Sequence, residues 1–145
     1  MRSLIVISCG KAKVWDRDPD RRSVPARDAY TGSLFRLCRR YAESQAPEAW
    51  VILSAKYGLL RPNELIDDYD VTITDPDAIS VDTLRKQWRK RFRKFERIIS
   101  LCSRAYDRRL QAAVGSDLPF ENPLAGQDLF KRMKWLRAKT VDAHC

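Results

Sequence analysis

A chain of 145 residues is long enough for one domain with a real core, and 44% hydrophobic content with 4 Trp, 5 Tyr and 5 Phe excludes a disordered polymer. No apolar run reaches the length of a membrane span, and the N-terminal apolar run is too short for a signal-peptide core, so a cytoplasmic protein without a membrane partner is expected. The net charge of +9 points to a polyanionic partner, whether nucleic acid, nucleotide or an acidic surface, and says nothing of catalysis.

Along the chain, Leu4-Ile5-Val6-Ile7 marks a buried strand over residues 3–8. It delivers Ser8-Cys9-Gly10-Lys11-Ala12-Lys13, a small-residue turn with two lysines, to the edge of a sheet. Residues 9–30 form a long polar segment, and a loop of that length in a compact domain is functional or mobile. Trp15 within it either stacks on a base or pins the loop to the core. Thr31 is a candidate cap for a helix to about Gln45, with Leu34, Leu37, Cys38, Tyr41 and Ala42 on its apolar face, and Pro47 ends it. A second strand, Ala49–Ser54, runs into Ser54-Ala55-Lys56-Tyr57-Gly58.

Residues 61–82 read as an acidic loop with a short strand at Asp70–Ile73. Leu84, Trp88, Phe92 and Phe95 then make one buried helical stripe. The other face of that helix is basic: Arg85, Lys86, Arg89, Lys90 and Arg93 form either a nucleic-acid-contacting surface or a solvated face. A third strand spans Arg97–Cys102, followed by a helix Ala105–Val114 that Gly115 stops. Leu118-Pro119-Phe120 reads as a short edge strand, and a last helix, Gln127–Lys139, turns Leu129, Phe130, Met133 and Leu136 inward.

This order predicts a single α/β domain over residues 1–145, in three layers with a mainly parallel central sheet. Such sheets hold ligands outside the carboxyl ends of their strands. The Ser8–Lys13, Ser54–Gly58 and Ser100–Ser103 loops all lie at such ends.

In the first loop Gly10 permits close backbone approach, and Lys11 and Lys13 can both reach one anion. Neither a Walker loop nor GxGxxG is present, which excludes a P-loop nucleotidase and a dinucleotide dehydrogenase. Cys9 is either a nucleophile activated by lysine or a small residue closing the strand. In the second loop Tyr57 either stacks on a base while Lys56 holds a phosphate, or lids the core. Asp67-Asp68-Tyr69-Asp70 supplies carboxylates, of which Asp70 is the preferred base for activating water. Cys9, Cys38, Cys102 and Cys145 form no CxxC pair, and the single histidine, His144, sits beside Cys145 as either a metal-ligand pair or a disordered tail. A zinc enzyme or a Ser-His-Asp triad is therefore not expected, nor is a metal or any other cofactor. The oligomeric state stays open.

Four segments, Ser8–Lys13, Ala26–Phe35, Ile52–Leu60 and Tyr69-Asp70, together resemble a bacterial and phage family of uncharacterised domains. That family is similar to the core domain of archaeosine synthase, which carries a cysteine-serine-lysine loop after its first strand. More distantly the chain is similar to the YaaA peroxide-stress proteins. The resemblance implies a fold like that of uracil-DNA glycosylases, a base pocket at the strand ends, and a nucleobase or nucleic-acid substrate. The expected function is an enzyme that cleaves or exchanges an N-glycosidic bond of a base in DNA or RNA. Lys11, Lys56, Cys9 and Asp70 are its candidate catalytic residues. Ser8, Gly10, Lys13, Tyr30, Ser33, Ser54, Tyr57, Gly58 and Tyr69 are its candidate substrate contacts, with the base held between Tyr57 and either Tyr30 or Trp15. Two alternatives stand beside it: a non-catalytic nucleic-acid-binding module, and an enzyme acting on free nucleosides or nucleotides.

Overall fold

Strand β1 (Ser3–Ser8) contains four consecutive apolar residues, Leu4 to Ile7, and all four are buried. A strand covered on both faces needs such a continuous run rather than alternation. In the computed structural model, which describes residues 2–144 and side chains through Thr140, β1 is the middle strand of five. The reading of His144 and Cys145 lies outside the described side chains and residues. Strand β1 pairs in parallel with β3 (Trp50–Ser54) on one side and β6 (Arg97–Ser100) on the other, Ile5 lying opposite both Trp50 and Ile99. Outside β6 runs the short parallel strand β7 (Phe120–Glu121), and outside β3 the antiparallel strand β4 (Gly58–Leu60). The sheet order is β4-β3-β1-β6-β7.

Successive β1 side chains point to opposite faces. Ile5 and Ile7 enter one core with Trp50, Ile52, Phe35, Cys38 and Leu136, beneath helices α2 (Ser33–Gln45) and α5 (Leu129–His144). Leu4 and Val6 enter the other with Val51, Leu53, Leu84, Trp88, Phe92 and Leu110. That second core lies beneath α3 (Val81–Gln87), the π-helical turn Trp88–Phe92 and α4 (Arg104–Val114). The domain is thus a three-layer α/β structure with a mainly parallel sheet. Among the described residues no helix is long and apolar enough to cross a membrane.

Several local expectations are corrected. Asp70–Ile73 is not a strand: the Thr72 N–H donates to the Asp75 carboxylate at 2.9 Å and the Asp75 N–H to the Thr72 carbonyl at 3.0 Å. This local turn takes the groups a ladder would need. The acidic segment instead supplies β5 (Leu65–Ile66), which pairs with β2 (Val24–Pro25) in an antiparallel ribbon. That ribbon, leading into the single turn α1 (Ala26–Ala29), ties the 9–30 loop to the acidic loop. Gly32, not Thr31, precedes the first turn of α2, without a side-chain cap. Strand β6 stops at Ser100, whose hydroxyl accepts the Cys102 N–H at 3.0 Å and turns the chain.

Of the expected stripe, Leu84, Trp88 and Phe92 are buried but not on a regular α-helix, and Phe95, beyond the π turn, is only partly buried. At 3.6 residues per turn, four-residue spacing drifts by about 40° per step. The wider π turn takes up that drift, and the Trp88 and Phe92 rings stack 6.3 Å apart. In α5 the inward line is Met133, Leu136 and Thr140, with the Tyr41 and Trp135 rings 5.2 Å apart against α2. Leu129 falls on that line by spacing yet is 59% exposed, and Phe130 is 73% exposed, because the first turn of α5 finds no apolar partner.

Two glycines differ in what they do. Gly10 has ordinary backbone angles, and a Cβ there would meet only Phe35 at 3.9 Å, so close approach does not require glycine. Gly58 has φ +78° and a Cβ there would run into the Gln87 side chain. Gln87 bridges the β3–β4 turn, accepting from the Leu59 N–H at 2.9 Å and donating to the Tyr57 carbonyl at 2.9 Å. Gly58→Ala is therefore expected to lower the unfolding free energy by about 2 kcal/mol or more, from left-handed strain plus the clash. Gly10→Ala is expected to stay within about 0.5 kcal/mol of wild type. Urea unfolding of both variants checks this; equal stability of the two would show that Gly58 is not a packing constraint.

Candidate functional site

Ser54 ends β3 with a buried hydroxyl that does three things. It accepts the Lys56 and Tyr57 N–H groups at 3.2 and 3.0 Å, closing the turn, and donates to the Tyr69 hydroxyl at 3.0 Å. The Tyr69 hydroxyl in turn shares a 2.5 Å hydrogen bond with Tyr30. Three hydroxyls from three parts of the chain thus form one buried relay beneath the carboxyl edge of the sheet. Burial, with Cys9 nearby, pushes both phenols well above their usual range.

Above this relay lies an open cleft of about 570 Å³, lined by Lys11, Ala12, Lys13, Asp16, Asp68, Tyr69 and Asp70. Lys13 is only 7% exposed. Its ammonium donates to the Lys11 carbonyl at 3.2 Å and stands 4.6 Å from the centre of the Tyr69 ring. A carbonyl and an aromatic face compensate part of its lost hydration without neutralising it. Its backbone is fixed by a bond from its N–H to the Asp16 carboxylate at 2.8 Å and by a bridge to Tyr30. Lys11 and Asp70 are exposed at the cleft's rim. The cleft is therefore lined by two cations and by carboxylates.

Cys9 continues the β1 ladder, its N–H donating to the Leu53 carbonyl at 3.0 Å. Its half-buried thiol lies 3.1 Å from the Tyr106 hydroxyl on α4. Burial and that thiol hold the Tyr106 phenol well above its usual range. Beyond Tyr106, the Asp107 carboxylate accepts from the Ser100 hydroxyl at 2.5 Å and from the Asn122 amide at 2.7 Å. Burial raises the Asp107 carboxyl from its ordinary value, opposed by those hydrogen bonds and by nearby Arg132. None of Tyr106, Asp107 and Asn122 stood out in the sequence. The Cys9–Tyr106 contact joins residues 97 apart and has no local signal. Asp107 was legible in principle, because Arg104, Asp107, Arg108 and Gln111 share one face at i, i+3, i+4 and i+7.

Of the residues singled out from sequence, the fold brings Lys11, Lys13, Tyr69 and Asp70 to one cleft, with Tyr30 and Ser54 directly behind it. Lys56 and Tyr57 flank it: the Tyr57 ring meets Tyr69 edge-on at 5.5 Å, and the Lys56 ammonium lies 5.1 Å from the Tyr57 ring. Ser8, Gly10, Ser33 and Gly58 do not line it. Stacking on Trp15 or Tyr30 is corrected, because both rings are 3% exposed. Trp15 instead pins its loop, donating from its indole to the Arg21 carbonyl at 3.0 Å. On the basic helix Lys86, Arg89, Lys90 and Arg93 are exposed. Arg85 is engaged, bonding Asp82 and the Ala112 carbonyl at 3.0 Å each.

The buried phenols make a pH prediction. Free phenols titrate near 10. Because the native ones titrate higher, the unfolded state binds fewer protons above that pH. Their stabilisation is full below pH 10 and is lost as pH rises beyond it. Tyr69→Phe is expected to cost about 1–2 kcal/mol at neutral pH, by stranding the Ser54 and Tyr30 hydroxyls. It should also flatten the alkaline loss; urea unfolding from pH 8 to 11 that gives the wild-type slope would refute the relay's role.

The comparisons with known proteins agree on identity at the level of a family. The profile of a family of unknown function, DUF6884, matches residues 4–138, from β1 into α5. The Bacillus subtilis (strain 168) protein named "Uncharacterized protein YfjM" is 40% identical over 129 residues, covering 86% of this chain and 85% of its own length. No solved structure matches the chain significantly. With the profile spanning the whole sheet and a relative of that identity spanning most of both chains, the chain belongs to the DUF6884 family.

Proposed function

We propose that this chain is an enzyme that binds a nucleic-acid strand across the carboxyl edge of its sheet and cleaves or exchanges the N-glycosidic bond of one base. The observation that carries the reading is that Lys11, Lys13 and Asp70 line one cleft. Two cations there hold phosphate oxygens, while a carboxylate beside them faces the sugar or water. The exposed Lys86, Arg89, Lys90 and Arg93 extend the positive surface. Gln87 ties that helix to the Lys56–Tyr57 turn at the edge of the cleft. The resemblance to the archaeosine synthase core and to uracil-DNA glycosylases belongs to this proposal and supports its substrate class.

In hydrolysis, Asp70 takes a proton from water as the water oxygen bonds the anomeric carbon and the carbon–nitrogen bond breaks. The bonding pair leaves with the base, which takes a proton from solvent. Tyr57, half-buried at the cleft's edge, is the aromatic surface available to an extruded base. Lys13 and the Tyr69 ring beneath it hold the geometry rather than enter the chemistry.

The test incubates the protein with modified and unmodified DNA and RNA oligonucleotides and looks for free or exchanged base by mass spectrometry. Asp70→Asn is expected to lower base release by about a hundredfold or more while binding persists. Lys11→Ala is expected to weaken binding and to reduce its salt slope by about one. Changing Lys86, Arg89, Lys90 and Arg93 together to Gln should reduce that slope by about three to four, all without loss of fold. Wild-type base release in Asp70→Asn would remove the carboxylate from the mechanism. The burial of Tyr30 and Trp15 favours a second reading, a binding module without chemistry. Salt-sensitive binding with no base released from any oligonucleotide would establish that reading instead.

A further inference from the structure

A second cavity, of about 410 Å³, opens at the carboxyl ends of β6 and β7. Cys102, Arg104, Asp107, Arg108, Asn122 and Arg132 line it. Three arginines thus share the cavity with one carboxylate, and no described carboxylate makes an ion pair with any of them. Elsewhere the domain neutralises arginines readily: Arg39 with Asp28 and Glu43, Arg91 with Glu64, Arg97 with Glu121.

The reason lies in Asp107. Each of its oxygens already faces a neutral donor, Ser100 on one side and Asn122 on the other. Asn122 is itself fixed: its amide also donates to the Cys102 carbonyl at 2.9 Å, and its oxygen accepts the Leu124 N–H at 2.8 Å. Arg132 is held by a bond from Nε to the Gln127 carbonyl at 2.9 Å, and among the described residues its terminal nitrogens make no hydrogen bond or ion pair. The cavity wall is therefore built and rigid, and its three guanidiniums outnumber its one carboxylate. Guanidinium forks suit phosphate oxygens, and the cavity falls in the range of about 300–1,000 Å³ typical of small-ligand sites.

We infer that the cavity between α4 and the start of α5 is a phosphate-binding site that holds the phosphate group of a nucleotide on Arg104, Arg108 and Arg132. Asp107 stands at its floor as a fixed acceptor for a hydroxyl or amino group of the same ligand. The site uses none of Lys11, Lys13 and Asp70, so it stands or falls independently of the cleft. The phosphate comes from a free nucleotide or from a strand that also enters the cleft, and the two sources are separable.

The experiment titrates the full, isotopically labelled chain with inorganic phosphate, a nucleoside 5′-monophosphate and a short single-stranded oligonucleotide, following backbone amide resonances. Saturable shifts are expected at residues 104–111 and 122–126. Arg108→Gln and Arg132→Gln are each expected to weaken that response by about tenfold. Lys11→Ala should leave the responses to inorganic phosphate and to the mononucleotide unchanged. Saturation by the mononucleotide identifies a free nucleotide as the source, and saturation by the oligonucleotide alone identifies a strand phosphate. The wild-type mapping stands even where an arginine variant folds poorly. Absence of saturable shifts at those amides with all three probes, or an undiminished response in both folded arginine variants, overturns the site.

Discussion

Strand β1 carries the structure because it is bonded on both edges and buried on both faces. Its backbone exchanges hydrogen bonds with β3 and β6, so neither edge is open. Its four apolar side chains divide evenly between the two cores, Ile5 and Ile7 to one, Leu4 and Val6 to the other. Full burial of one such side chain contributes about 1.5–3 kcal/mol, comparable to a sizeable part of a domain's net stability. Whatever follows Ser8 is held by this strand. The bond from the Cys9 N–H to the Leu53 carbonyl extends the ladder one residue past its end. Cys9 thus stands at a fixed point, its thiol against the Tyr106 hydroxyl on α4.

The lysine cleft and the arginine cavity are supported by polar groups in different ways. Under the cleft, Ser54, Tyr69 and Tyr30 satisfy one another's hydroxyls out of contact with water. Such a buried network is strong when complete, because the low local dielectric that strengthens each bond also penalises any missing partner. It positions the Tyr69 ring, and the ring positions Lys13. In the cavity, Ser100, Asp107 and Asn122 form a comparable set, but around a carboxylate. One network therefore presents a cation and the other holds an acceptor among cations.

Charge is organised at two ranges. Arg91 pairs with Glu64, which ties the π turn to the loop after β4, whereas Arg85 pairs with Asp82 on its own helix. Lys86, Arg89, Lys90 and Arg93 stay in solvent, where their field extends over about one Debye length, roughly 8–10 Å. Gln87, between the two sets, crosses to the β3–β4 turn and fixes Gly58 in its left-handed conformation. The basic face and the Lys56–Tyr57 turn are consequently one mechanical unit.

Hydrophobic periodicity alone determined the α/β class, the three main strands, α2, α4 and the buried stripe Leu84–Trp88–Phe92, because each is a local pattern set by side-chain burial. The loop residues also marked Lys11, Lys13, Tyr69 and Asp70, which do share a cleft: Lys11 and Lys13 follow a parallel strand, and Tyr69 and Asp70 follow β5 of the antiparallel ribbon. Of the strands of two or three residues, β7 was marked as a short edge strand at 118–120 and lies at Phe120–Glu121, whereas β2, β4 and β5 carry too little pattern to stand out, and the pairing of β2 with β5 joins segments distant in sequence. Spacing could not show that Trp15 and Tyr30 turn inward, or that Leu129 and Phe130 stay outside, because an apolar side chain is buried only where another element arrives to cover it. The Cys9–Tyr106 contact and the Ser100–Asp107–Asn122 set depend on how α4 docks against the sheet. The sequence by itself determined which residues were available at the carboxyl edge; the tertiary structure alone decided which of them lost their water and which kept it.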